Sequence, residues 1–231
     1  MIEYTLINFF IFLSVLVCVG ACLISACFIY RRNRNSKVHL FFALFFIGLG
    51  GFVLFYLFLQ DPLLKEISYP LQLLNISISI LGLCMFYYSL ANEGQISSKL
   101  LISCVITLFL IPILSIILHP YSFITQDYGY ELIIDPWFMI FVNLLYLAFI
   151  CPTIIGLIRT YLKTENKNLK QKLIQTFLAL LLIVVAGLIF FSIIPAFLNI
   201  HYLKPIGYGI ISFAVIIMAL AFKGAITKNE E

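Results

Sequence analysis

Polar residues are so sparse along this chain that the hydrophobic positions merge into seven long blocks. Short segments between the blocks carry nearly all the charge. The blocks cover about residues 5–30, 38–60, 67–91, 100–118, 137–158, 173–199 and 203–222. A helix needs about 20 apolar residues to cross the hydrocarbon of a bilayer, and each block is close to or beyond that length. Inside lipid every backbone N–H and C=O must be satisfied within the protein, so all seven read as helices. The expected fold is an all-α membrane protein: a seven-transmembrane helix bundle over residues 1–222, followed by a short cytoplasmic tail at 223–231. The first block has no basic segment before it and ends in Arg31-Arg32-Asn33-Arg34. That is a stop-transfer flank, so the block reads as a retained helix and not as a signal peptide.

The charged segments set the orientation. Arg31, Arg32, Arg34 and Lys37 follow the first block, Lys99 follows the third, and Arg159, Lys163, Lys167, Lys170 and Lys172 follow the fifth. Lys223 and Lys228 lie in the tail. Only Lys65 and Lys204 fall on the other side. Basic loops stay in the cytoplasm, which puts the N-terminus outside and the C-terminus inside a plasma membrane. An odd number of crossings is what that arrangement needs. The longest outer segment, 119–136, is acidic and aromatic. Within it Tyr128, Tyr130, Leu132 and Ile134 alternate with Gly129, Glu131 and Ile133, the pattern of a short strand or hairpin capping the bundle. The longest inner segment, 159–172, is basic and suited to extending the fifth and sixth helices into the cytoplasm.

Composition narrows the function classes. The chain is 63% hydrophobic and 10% charged, against about 25% charged in a soluble domain. A net charge of +4, explained by the loops, gives no reason to expect a nucleic-acid partner. The six cysteines all lie in apolar blocks with no disulfide or zinc spacing, and read as small packing residues. Ionisable groups inside membrane spans are the usual mark of chemistry, and here the middle of every span lacks them. His39, His119 and His201 sit at span ends, where solvated caps are expected, and three scattered histidines make no metal site. Lys204 beside Pro205 reads as a snorkelling end residue. No catalytic residue, metal or cofactor is expected.

Neutral polar residues remain. At about 1.5 Å per residue, Asn75 lies ~10 Å below the outer start of the third span, and Asn143, Ser192 and Ser212 lie at similar depths in the fifth, sixth and seventh. Gln72, Asn75, Ser79 and Gly82 recur every three or four residues and share a helix face. Tyr146 and Tyr208 add hydroxyls at this level. One reading makes this layer a ligand pocket open to the outside beneath 119–136. The other makes these groups hydrogen-bonding glue between helices. On the first span Ser14, Cys18, Cys22 and Ala26 form a stripe of small residues, suited to close packing inside the bundle or to a dimer seam, with the interior favoured. Pro70, Pro112, Pro152 and Pro195 interrupt spans, and Pro195 is the candidate hinge, a static kink being the other reading.

The run Asp127-Tyr128-Gly129-Tyr130-Glu131, then Asp135-Pro136-Trp137-Phe138, is similar to one family. The basic Lys163–Lys172 linker with Gln171-Lys172 extends the likeness, as do Gly187, Pro195 and Lys204-Pro205-Ile206-Gly207-Tyr208-Gly209. Together they resemble the seven-helix N-terminal sensor region of prokaryotic histidine kinases, over roughly residues 120–222 by motif. The resemblance implies a membrane module that detects a signal and drives a cytoplasmic output. This sequence departs from the usual member by stopping at Lys223–Glu231, without a phospho-acceptor histidine segment or an ATP-binding domain. The expectation is therefore a stand-alone sensor or receptor-like module that is not itself an enzyme. Its expected partners are membrane lipid, a small-molecule ligand and a cytoplasmic signalling protein. Arg159, Lys163, Lys167, Lys170 and Lys172 would be the coupling surface. A small-solute transporter or channel and a lipid-modifying enzyme using outer Asp127, Glu131, Asp135, His119 or His201 are the alternatives.

Overall fold

In the computed structural model, residues 2–58, 61, 63–91, 96–126, 129–190 and 203–223 are described. The elements are α1 (Ile2–Arg32), α2 (Lys37–Phe58), α3 (Lys65–Ala91), α4 (Ser98–Leu118), β1 (Tyr121–Gln126), β2 (Gly129–Ile134), α5 (Pro136–Lys163), α6 (Lys167–Leu188) and α7 (Lys204–Lys223). Among the described residues, seven helices are long and apolar enough to cross a membrane, so the chain is a multi-pass membrane protein. Large side chains such as Ile106, Leu144 and Phe213 are more than 60% exposed around the bundle, which is tolerable only where the solvent is lipid. Short connections alternate the helix directions. One end of the bundle carries the α1–α2 and α5–α6 turns with their Lys and Arg residues (the basic end). The other carries the β1–β2 segment (the hairpin end).

The helices form a closed circuit, α1–α2–α3–α5–α6–α7 and back to α1, with α4 laid against α3. Six of the expected blocks match these helices closely; of the block 173–199, residues 191–199 lie outside the described residues. The basic 159–172 segment is itself mostly helical, because α5 runs on to Lys163 and α6 begins at Lys167. Only residues 164–166 separate them, and the N–H of Thr164 bonds the Thr160 carbonyl to close α5. After Leu188 the backbone widens into a π turn at Ile189 and Phe190. Pro195, Ser192 and His201 lie outside the described residues.

The hairpin expected from alternation is present. β1 and β2 pair antiparallel, Tyr121 opposite Ile134 and Gln126 opposite Gly129. Tyr121 fastens it to the bundle: its hydroxyl donates to the Glu66 carbonyl at 3.0 Å, and its ring packs at 5.1 Å from Tyr69 and 5.3 Å from His119. His119 is the residue that turns α4 into β1, in a left-handed conformation with φ 44°. Asp135 then starts α5. Its carboxylate accepts from the Phe138 N–H at 2.9 Å, and Pro136 fills the first helical position.

Among the described residues the interior holds two apolar clusters. The larger gathers α1, α2, α6 and α7 with Leu83 and Phe86 of α3 and Leu157 of α5. Phe42 and Phe86 stack at its centre, 4.5 Å between ring centroids. The smaller joins Tyr69, Leu73, Ile80, Cys84 and Met85 of α3 to Cys104, Leu108 and Ile111 of α4, and to Phe138, Val142 and Tyr146 of α5. The small-residue stripe of α1 packs inside: Cys18, Cys22 and Ala26 are buried, and Cys22 abuts Gly50 of α2.

Candidate functional site

Among the described residues, the polar groups of the layer toward the hairpin end, Asn143 apart, serve three separate helix seams. The first is α2–α3. Gly48, Gly51 and Gly82 let these helices approach until backbone meets backbone: Gly48 lies against the Ser79 amide and the Asn75 carbonyl, Gly51 against the Asn75 side chain, and Gly82 against Phe45 and Phe41. Along this seam Ser79 Oγ donates to the Phe45 carbonyl at 3.0 Å, and Ser68 Oγ to the Phe55 carbonyl at 2.6 Å. Gln72 Nε2 donates to Ser68 Oγ at 3.4 Å. Asn75 Nδ2 donates to the Leu71 carbonyl of its own helix at 2.8 Å. The shared face of Gln72, Asn75 and Ser79 is real, and α2 covers it.

The second seam ties α3 to α4 and α5. Ser77 Oγ donates to the Leu108 carbonyl at 3.0 Å, and the Tyr146 hydroxyl lies 3.1 Å from Ser77 Oγ and 3.2 Å from the Leu73 carbonyl. Ser77 was not singled out by sequence, although its spacing from the polar face of α3 placed it on the opposite side of that helix. The third seam lies around α7. Tyr208 is buried, with its ring 5.9 Å from that of Tyr56. Ser212 Oγ donates to the Tyr208 carbonyl at 2.7 Å and reaches Cys18 of α1. Asn143 belongs to none of these seams: it is exposed on the outside of α5. Thus Gln72, Asn75 and Ser79 meet on one seam, Tyr146 sits on a second, and Tyr208 and Ser212 on a third.

Lys204 departs from its reading as a simple snorkelling residue. Half-buried at the start of α7, it donates from Nζ to the Tyr56 hydroxyl at 3.1 Å and stands 4.9 Å from the centre of that ring. This ties the hairpin ends of α2 and α7 together. The hairpin-end residues weighed for lipid chemistry are scattered. Asp135 is engaged as a helix cap, and His119 is exposed with Nδ1 2.8 Å from the Ile116 carbonyl. The Glu131 side chain, Asp127 and His201 fall outside what is described. Among the described residues no group of three metal-ligating side chains converges.

At the basic end, Arg159, Lys163 and Lys167 are exposed. Lys170 lies over the Tyr161 ring of α5, with Nζ 4.9 Å from its centroid, and Lys172 is half-buried. His39 is not the solvated cap its position suggested, since both its ring nitrogens are buried and neither has a hydrogen-bond partner. The sequence matches no protein-family model and no curated protein.

Proposed function

We propose that this chain is a plasma-membrane sensor. In this reading its hairpin end faces outside, its basic end faces the cytoplasm, and it passes a change in helix packing to a signalling protein. The observation that carries it is the path of α5. Near the hairpin, Phe138, Val142 and Tyr146 belong to the α3–α4 cluster. Three turns on, Gly156 lies against Tyr87, and Leu157 joins the larger cluster with α1, α2, α6 and α7. One continuous helix, with Pro152 inside it between the two contact regions, therefore crosses from one core to the other. Its first residue follows the hairpin through the Asp135 cap, and its last is three residues from α6. A small ligand or lipid that draws the hairpin to a new position on α3 would swing the far end of α5, moving Arg159 and Lys163 and, through the 164–166 link, Lys167, Lys170 and Lys172. The coupling equals the ligand's difference in affinity for the two arrangements. The absence of ionisable side chains from the middles of the spans agrees with a protein that relays position and not charge.

The lever is tested by freeing one end and watching the other. Spin labels at Leu162 and Asn33, with the native cysteines replaced, report the distance from α5 to the α1–α2 turn in lipid nanodiscs. Asp135→Ala, roughly 40 Å from Leu162 along the helix, should shift or broaden that distance by about 1–2 Å, the size of helix shifts in known switches. An unchanged distribution would remove the basis of the sensor reading. Solute flux into liposomes that Asp135→Ala leaves intact would instead assign the chain to transport.

A further inference from the structure

The basic end holds buried polar groups that the fold leaves unsatisfied. Ser89 of α3 is fully buried, and its hydroxyl has no partner. It continues the row Ser68, Asn75 and Gly82 at seven-residue spacing, so it faces α2. Gly82 meets Phe45 across that antiparallel seam, which sets Ser89, two turns on, level with Val38 and His39. The two ring nitrogens of His39 are also buried and unpartnered. Gly50 meets Cys22 across the α1–α2 seam, and by the same count His39 stands level with residue 33, next to Arg32 at the end of α1. Arg32 acts electrostatically on both His39 and Lys172. Ile29 and Phe42, one turn inward from Arg32 and His39, and Leu173, beside Lys172, all belong to the larger core cluster, so the ends of α1, α2 and α6 border the same core here. Lys172 has no acidic partner among the described residues.

Each buried unsatisfied polar group costs free energy that native proteins rarely leave unrecovered. The charge beside these groups is positive, from Arg32 of α1 and Lys172 of α6. An anion with several acceptor oxygens would satisfy His39, Ser89 and Lys172 at once. We infer that the mouth formed by Arg32, His39, Ser89 and Lys172 binds a phosphate group, and that its source is an anionic lipid headgroup of the adjoining leaflet. Basic pockets between helix ends are suited to such headgroups, whose acyl chains would lie along the exposed apolar flanks of the bundle. The site stands whether or not α5 relays a signal, so its failure and the failure of the sensor reading are separate results.

The test uses the intact protein in nanodiscs of phosphatidylcholine with or without phosphatidylglycerol. Native mass spectrometry counts retained lipid, and thermal unfolding reads stabilisation. Wild type should retain phosphatidylglycerol in preference to phosphatidylcholine and unfold at higher temperature in its presence. His39→Gln with Lys172→Gln should reduce that preference about tenfold, since the lysine charge contributes a severalfold attraction and the imidazole a further hydrogen bond. The charge-matched control Arg34→Gln, which also removes one positive charge from this end, should leave it nearly unchanged. Equal losses in the two variants would mean diffuse surface attraction and overturn the site. Inorganic phosphate that displaces the lipid at millimolar concentration would make the free anion a ligand of the same site; no displacement would assign it to lipid. Ser89→Ala guards against misfolding of the double variant. It should raise stability in phosphatidylcholine alone and shrink the gain from phosphatidylglycerol. A loss of stability equal in both lipids would show the hydroxyl serving the fold or bound to water, and would also overturn the site.

Discussion

Substituting alanine at Gly82 tests the backbone-to-backbone contact of the α2–α3 seam. A Cβ built there would stand 2.5 Å from the Phe45 nitrogen and 2.8 Å from the Phe41 carbonyl oxygen. Ordinary contact begins near 3.4 Å, and both obstacles are backbone, so no rotamer change relieves them. The helices would have to part by roughly 0.6–0.9 Å in an interior packed like a crystal. Overpacking of this kind costs about 1–3 kcal/mol. Parting also stretches the 3.0 Å bond from Ser79 to the Phe45 carbonyl, an interhelical interaction worth about 0.6 kcal/mol. The higher helix propensity of alanine returns about 0.5–1 kcal/mol, leaving a net loss of about 1–3 kcal/mol. Gly48→Ala should behave likewise, because its Cβ would meet the Ser79 backbone. Gly20 and Gly209 are the controls: nothing lies within 4 Å of a Cβ at either, so alanine there should be neutral or stabilising by up to about 1 kcal/mol. Reversible unfolding in mixed detergent micelles measures all four. If Gly82→Ala and Gly20→Ala were indistinguishable, the α2–α3 contact would not be the close one described.

Tyr146→Phe removes the hydroxyl shared by Ser77 and the Leu73 carbonyl and should cost about 0.6–1.7 kcal/mol in the same assay, the range found for such bonds in membranes. Lys204→Met should cost about 0.5–2 kcal/mol by removing the cation over the Tyr56 ring, while Tyr56→Phe, which keeps the ring, should cost less. Burial, and secondarily Glu66, raise the Tyr121 phenol above its ordinary value. The neutral phenol is thus the form the fold prefers. Hairpin docking should be constant below the unfolded tyrosine value of about 10 and weaken as pH rises from there through the higher folded value. Near-ultraviolet phenolate absorbance, compared with Tyr121→Phe, reads this, and identical titrations would refute it.

Height in the membrane was legible in the sequence, and azimuth was not. Counting residues placed Asn75, Asn143, Tyr146 and Ser212 at similar depths, yet Asn143 faces outward while the other three enter different seams. In water an apolar stripe reveals the buried face of a helix. In lipid both faces are apolar, so periodicity says little about which one meets a neighbour. Where small or polar residues broke the uniformity, the face was readable: Cys18, Cys22 and Ala26 on α1, and Gln72, Asn75 and Ser79 on α3. The hairpin was legible because its strands lie outside the hydrocarbon, where alternation keeps its meaning. The roles of Gly48, Gly51 and His39 depend on partners far away in sequence and left no local mark.

The distribution of polar groups bears on where motion is possible. The α2–α3 seam joins backbone to backbone at Gly48 and Gly82, with Ser68 and Ser79 bonded across it to carbonyls of α2, so those helices move as one body. The α3–α5 seam is held by the Tyr146 hydroxyl and by Thr153, whose hydroxyl reaches Cys84 at 3.4 Å and the Phe149 carbonyl at 3.1 Å. Those groups have other acceptors nearby and can exchange them at little cost. A bundle with one locked pair and one exchangeable seam bends at the exchangeable one. That seam lies along α5, the helix joined directly to the hairpin and, across three residues, to the basic face. An external force on the hairpin therefore spends itself in moving α5 before it can separate α2 from α3.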